Sequence, residues 1–260
     1  MKQKNKTIMV PAVDRATDIL EYLLKNGNSS TKQIAKDLEI PIASASRIIR
    51  TLLFKEYIIE HKRTTTTYSL GIKLVIFSQA VLHSLDLDTI AKKEMKKLSE
   101  ATNLVSQLAI YERESIIYTQ NVMPSASVSV VVAPLRVPMP VNLSAGGKAI
   151  MSQMDEETLN LILTNCKMKK ATKNSIIDKE KFKENLKTAK ELGYAVDDEE
   201  YSTNIGCIAA PIFDHEKNIL AAVGVTGPIN VFKEKQSFEK IKNSILETAK
   251  NISKKLGYFN

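Results

Sequence analysis

Residues 31–55 read TKQIAKDLEIPIASASRIIRTLLFK, and the spacing of their apolar positions decides the fold of the first third of the chain. Ile34, Ala35, Leu38, Ile40, Ala45 and Ile48 fall on the inward side of two short helices joined by a turn, with small Ala35 and Ala45 where the helices cross. Thr31 suits the N-cap of the first helix. Pro41 suits the start of the second, where a missing N–H costs nothing. The helix over 42–55 then buries Ala45, Ile48, Ile49, Leu52 and Leu53. At about 100° per residue, Ser44, Ser46, Arg47, Arg50 and Thr51 are left facing outward. Two arginines three apart on one face, behind short hydroxyls at the helix start, suit guanine edges and phosphates in the major groove of double-stranded DNA. Glu39 stands in the turn where glycine would supply positive φ, which predicts either a wider turn or modest strain.

Working outward, residues 13–25 (VDRATDILEYLLK) put Ala16, Ile19, Leu20, Leu23 and Leu24 on one helical face, closed by Asn26 and Gly27. Residues 57–70 (YIIEHKRTTTTYSL) are β-branched and aromatic runs around Lys62 and Arg63, a hairpin whose basic tip fits the minor groove or its phosphates. Three helices and a hairpin make a winged helix-turn-helix over residues 10–70. Charge agrees: residues 1–85 hold 13 of the 37 Lys and Arg but only 7 of the 29 Asp and Glu. Most of the net charge of +8 therefore sits on this module, which suits a polyanion partner.

Residues 71–87 are apolar almost all round a helix, so they must be buried on several sides. They read as a linker helix packed across a subunit interface, which predicts a homodimer or homotetramer. Residues 88–260 then run helix, three strands, helices, strands, helix: an α+β domain on a largely antiparallel sheet. The helices expected are 88–102, 145–154, 156–165, 179–192 and 237–256. The strands expected are 105–111, 116–120, 127–133, 194–197, 207–213 and 219–226. Leu143 to Lys148 is a small-residue turn opening a helix, whose N–H groups and dipole favour a carboxylate, and Ala145 and Gly146 let a ligand close to the backbone. Asp197, Cys207, Gly224 and Thr226 lie on neighbouring strands and add directed polar groups to an otherwise apolar cavity.

Four stretches together resemble the IclR family of bacterial transcription regulators: V13DRATDIL, I40PIASASRIIRTL, L135RVPMPVNLSAGGKAI, and G193YAVDDEEYSTNIGCIAAPIFD followed by A221AVGVTGP. The resemblance covers roughly residues 10–257. It implies a GAF-like effector domain, dimers or tetramers, and pseudo-palindromic operators near catabolic genes. Matched residue by residue, it gives Val128 and Val131 as the apolar wall of the effector site, with Ala145, Gly146, Asp197, Cys207, Gly224 and Thr226 around the ligand. Gly224 stands where carboxylate-binding relatives carry a hydroxyl residue, and Gly206 where many carry arginine.

Other chemistries fit poorly. Ala149 follows Gly146-Gly147-Lys148, so this is no phosphate-binding loop, and Asn142 breaks the nucleophile-elbow pattern around Ser144. His61, His83 and His215 are ill placed to serve Cys207 as a base or to share a metal, so no metal, cofactor or catalytic residue is expected. The acidic run Asp197–Glu200 reads as a solvated loop. The first twelve residues lack the continuous apolar core of a secretory signal, and no apolar run nears the ~18 residues of a membrane span. A cytoplasmic protein with free thiols at Cys166 and Cys207 is expected. The reading is a ligand-responsive, sequence-specific regulator, in the repressor sense, of a catabolic operon sensing a small keto or sugar acid. The alternative is a DNA-binding protein whose second domain only oligomerises.

Overall fold

The computed structural model describes residues 10–62, 64–84, 86–126 and 132–259, with backbone only over 79–84. The chain divides into two compact units, Met1–Leu85 and Asp86–Asn260.

In the first unit, α1 (Pro11–Asn26), α2 (Thr31–Asp37) and α3 (Ile42–Phe54) pack around Ile19, Leu23, Ile34, Ala45, Ile49 and Leu52. Ser30, one residue before the expected cap, accepts the Gln33 N–H, and Thr31 begins the helix. Leu24 is 74% exposed, because α1 buries only the stripe through Ile19 and Leu23. Glu39 takes φ +54°, so the turn keeps the left-handed geometry and accepts the strain of a side chain there. The wing is β1 (Ile58–His61) paired antiparallel with β2 (Thr67–Leu70). Ser29 and Tyr68 exchange backbone hydrogen bonds at 3.1 and 2.9 Å, tying the wing to the start of α2. In α4 (Lys73–Ser84), Lys73 donates to the Lys55 carbonyl at 3.0 Å and Phe77 lies 5.7 Å from the Tyr57 ring. Ile72, Val75, Ile76 and Phe77 stay 45–75% exposed along this helix and its approach.

The second unit is a six-stranded sheet, every pair antiparallel, in the order β5-β4-β3-β8-β7-β6. The strands are β3 (Val105–Glu112), β4 (Ser115–Val122), β5 (Pro138–Met139), β6 (Ala195–Asp198), β7 (Ile205–Phe213) and β8 (Ile219–Pro228). Arg113 and Glu114 both take positive φ in the tight β3–β4 turn, which matches the twist of its strands. Alternation along the strands makes two cores. Ile208, Ile212, Ala221, Val223 and Val225 face α5 (Leu87–Thr102) and α10 (Lys235–Lys255). Ala109, Ile116, Tyr118, Ala209 and Ala222 face α6 (Ala145–Met151), α7 (Glu156–Asn165) and α8 (Lys179–Leu192).

Three expectations need correction. Of the strand expected at 127–133, residues 127–131 lie outside the described residues, Val132 and Ala133 lie in coil, and the outer partner of β4 is Pro138–Met139. The helix from Ala145 stops at Met151, and a short α9 (Ile229–Lys233) precedes α10. Asp197 and Glu200 are 2% and 5% exposed, so the acidic run is no solvated loop. Gly193 ends α8 in the left-handed conformation expected of it, φ +77°.

Candidate functional site

Two sites take shape, one in each unit. On α3, Ala45, Ile49 and Leu52 point inward, and Arg47, Arg50 and Thr51 outward. Ser44 and Ser46 are half-buried at its first turns. The Thr51 hydroxyl donates to the Arg47 carbonyl at 3.0 Å and is spent on its own helix. Pro41 precedes the helix with no side-chain cap, and Ile42 and Ala43 are exposed beside it. Sequence reasoning passed over these two because they are apolar; their place in the first turn was the available signal. Lys62 is exposed on the wing with Glu60 at 3.4 Å, and Arg63 lies outside the described residues.

In the second unit, Ala145, Gly146, Cys207 and Gly224 line one small cavity, together with Gln107 and Tyr118. Its volume is about 10 Å³, room for roughly one water. Asp197 and Thr226 stand behind it: Cys207 pairs with both in register, and its thiol donates to Thr226 Oγ1 at 3.2 Å. Val128 and Val131 fall outside the described residues.

The helix start is largely occupied from within. The Gly147 N–H donates to Ser144 Oγ at 2.9 Å, and the Lys148 N–H to the Ser144 carbonyl at 3.0 Å. The Tyr118 hydroxyl lies against Ser144 and the Gly146 N–H, and burial pushes its pKa up. A Cβ on Gly146 would stand 2.9 Å from that of Ala109, so glycine is what lets α6 approach the sheet. Gly224 is tighter still: a Cβ there would meet the Ile208 carbonyl at 2.4 Å. A hydroxyl side chain at this position therefore requires the strands to move apart.

Lys148 is the residue the sequence reading missed. It is 0% exposed, and its Nζ donates to both carboxylate oxygens of Glu200 at 2.6 and 2.8 Å. The Glu200 N–H in turn donates to Asp197 Oδ1 at 2.7 Å. A buried polar chain thus runs Lys148, Glu200, Asp197, Cys207, Thr226 from α6 to β8. The signal was a lysine inside AGGKAIM, a helix otherwise small or apolar on every side. Burial raises the pKa of Asp197 and of Glu200, with Lys148 pulling both back. Burial first, then the Asp197 charge, pushes the Cys207 thiol up, leaving it protonated and unreactive.

A winged helix-turn-helix with an arginine-bearing second helix, joined to an antiparallel α+β domain, defines a DNA-binding regulator. Comparison with known proteins narrows the class. Bacterial transcriptional regulator IclR C-terminal matches residues 79–254, and the IclR helix-turn-helix domain matches residues 12–58. The chain belongs to the IclR family of transcriptional regulators. It is 27% identical over 248 residues to the HTH-type transcriptional repressor AllR of Escherichia coli K12, covering 95% of this chain and 90% of the relative. The Agobacterium tumefaciens repressor BlcR superposes with TM-score 0.84 at 18% identity, over 98% of this chain and all of that one. The Thermotoga maritima IclR superposes with TM-score 0.63 at 27% identity, over 95% and 99%. Among the described residues no helix is long and apolar enough to cross a membrane.

Proposed function

We propose that this regulator is a repressor that binds a two-half-site operator as a homodimer or tetramer and releases it when a small keto or sugar acid enters the second unit. The observation that carries the reading is the meeting of Tyr118, Gly146, Cys207 and Gly224 on one cavity, with Asp197 and Thr226 behind it. That cavity is too small for an organic acid as it stands. In this reading the effector carboxylate takes the place of the Tyr118 hydroxyl beside the Gly146 N–H, and Asp197, its pKa raised by burial, meets a ligand oxygen. Val128 and Val131 complete the apolar wall.

On DNA, Arg47 and Arg50 read base edges from α3, with Ile42 and Ala43 placed for thymine methyl groups. Ser44, Ser46 and Thr51 flank them, and Lys62 and Arg63 take phosphates at the wing. The exposed apolar row Val75, Ile76 and Phe77 covers itself against a second subunit. AllR and BlcR are both named repressors, which supports the sign of regulation.

The test selects the operator from genomic fragments, then measures thermal stability and operator affinity against a panel of keto and sugar acids. An acid that raises the melting temperature and weakens operator binding is expected, since a ligand bound only by the folded state must stabilise it. If no acid does either while the operator is still bound as a dimer, the second unit only oligomerises and the effector reading fails.

A further inference from the structure

Strand β6 pairs with β7 only over Gly206–Ala209, so Ala210–Phe213 run on without a strand partner on that side. Here the last turn of α8 and the C-terminal half of α10 enclose a second, far larger groove of about 510 Å³. It is closed to an added strand: Pro211 offers no N–H, and the Phe213 N–H already donates to Ser253 Oγ at 3.0 Å. Its floor is apolar, built from Pro211, Leu246, Ala249 and the Phe213–Tyr258 pair, whose rings stack with centroids 5.1 Å apart. Phe259 stands at the mouth, 70% exposed.

The rim carries one sign of charge. Lys190 comes from α8, and Lys250 and Lys254, four apart on one face, from α10. Among the described residues no acidic residue lines the groove, and none of the three lysines has a carboxylate within salt-bridge distance. Elsewhere on the same helices, Lys183, Lys242 and Lys255 are paired with Glu180, Glu239 and Glu94. Three lysines without a carboxylate partner thus stand together around the aromatic floor.

We propose that this groove is a second ligand site, distinct from the cavity at Gly146 and Cys207, and that it takes a small aromatic carboxylate. The ring lies against Tyr258 and Phe259, and the carboxylate sits between Lys250 and Lys254 with Lys190 opposite. The volume falls in the range of about 300–1,000 Å³ usual for small-molecule sites. The aromatic floor favours a planar ring by offset stacking, and exclusion of water behind the ring strengthens the lysine contacts.

The probe is 2-naphthoate, titrated calorimetrically into the full chain, with neutral 2-naphthylmethanol as the uncharged isostere. We expect saturable binding of 2-naphthoate at one site per chain, and at least about tenfold weaker binding of the alcohol. The variant Lys250→Glu/Lys254→Glu alters only exposed side chains. It should keep the far-UV circular dichroism of the wild type and lose at least about tenfold in 2-naphthoate affinity. Absence of saturable binding to the wild type overturns the proposal. So does equal affinity in the charge-reversed variant, or binding that Tyr118→Phe abolishes and charge reversal leaves intact, which would put the probe in the other cavity.

Discussion

Replacing Glu200 by leucine strands the Lys148 ammonium, which is 0% exposed and has both of its carboxylate contacts on that one side chain. At an effective dielectric of about 20, charge centres about 4 Å apart attract by about 4 kcal/mol. Removing one partner of a buried pair costs about 3–5 kcal/mol by the same reasoning, because the other charge keeps its desolvation penalty. Glu200→Leu should therefore lose about 3–5 kcal/mol of unfolding free energy. Lys148→Met/Glu200→Leu removes both charges and should return to within about 1 kcal/mol of the wild type. The chain has no tryptophan, so the assay is urea unfolding followed by far-UV circular dichroism at neutral pH and fixed chain concentration. A Glu200→Leu loss below about 1 kcal/mol would mean that the Lys148 ammonium reaches water, and the burial argument would be wrong. A double variant as unstable as the single one would assign the cost to packing or loop geometry, and not to a stranded charge.

Arg47→Ala and Arg50→Ala should each weaken operator binding by about 1–3 kcal/mol in fluorescence anisotropy at fixed salt. Lys62→Ala should weaken all DNA alike and flatten the salt slope by roughly one unit; unchanged operator affinity in both arginine variants would refute the reading face. Phe77→Asp should split the oligomer in light scattering, and a wild type already monomeric at micromolar concentration would contradict the α4 interface. Burial lifts the folded pKa of Asp197 above its unfolded value, so between those two values the native state holds a proton the unfolded chain has released. That contribution to wild-type stability is lost as pH rises from the unfolded to the folded pKa. The urea midpoint of Asp197→Asn relative to wild type should therefore climb through that window and then level off; a flat or falling difference counts against it. Gly224→Ser should cost about 1–3 kcal/mol in the same assay, since its Cβ meets the Ile208 carbonyl at 2.4 Å; a neutral result would show that β7 and β8 part easily.

The reading unit was legible because its signals are local. Apolar spacing at Ile34, Ala35, Ala45 and Ile49, a helix start at Pro41 and a basic hairpin all lie within a few turns of one another. The error at Leu24 has the same origin, since a helical wheel cannot say where a small core stops. In the second unit, strand positions followed from β-branched runs, but burial of charge did not. Lys148 and Glu200 are far apart in sequence; the apolar surroundings of Lys148 in its helix hint at burial, but nothing local names Glu200 as its partner. Of the cavity's lining, Ala145, Gly146, Cys207 and Gly224 were legible in the sequence, whereas Gln107, Tyr118 and the small volume were not. Nothing in the spacing of Tyr118 foretells that its ring would fill the space beside Gly146.

The order β5-β4-β3-β8-β7-β6 has a kinetic consequence. The sheet is two halves, β3–β4–β5 and β6–β7–β8, zipped together along one seam where Val105 meets Thr226. Each half forms from near neighbours, whereas the seam must wait for the helices between them, and such long-range pairing is slow. Loop-closure entropy grows only gently, by about 0.6 kcal/mol per doubling of length, so the delay is one of search and not of equilibrium cost. Gln107 and Tyr118 reach the cavity from one half, and Cys207 and Gly224 from the other. A molecule held there rivets the seam, and amide exchange along β3 and β8 should slow on binding while the outer hairpins exchange as before.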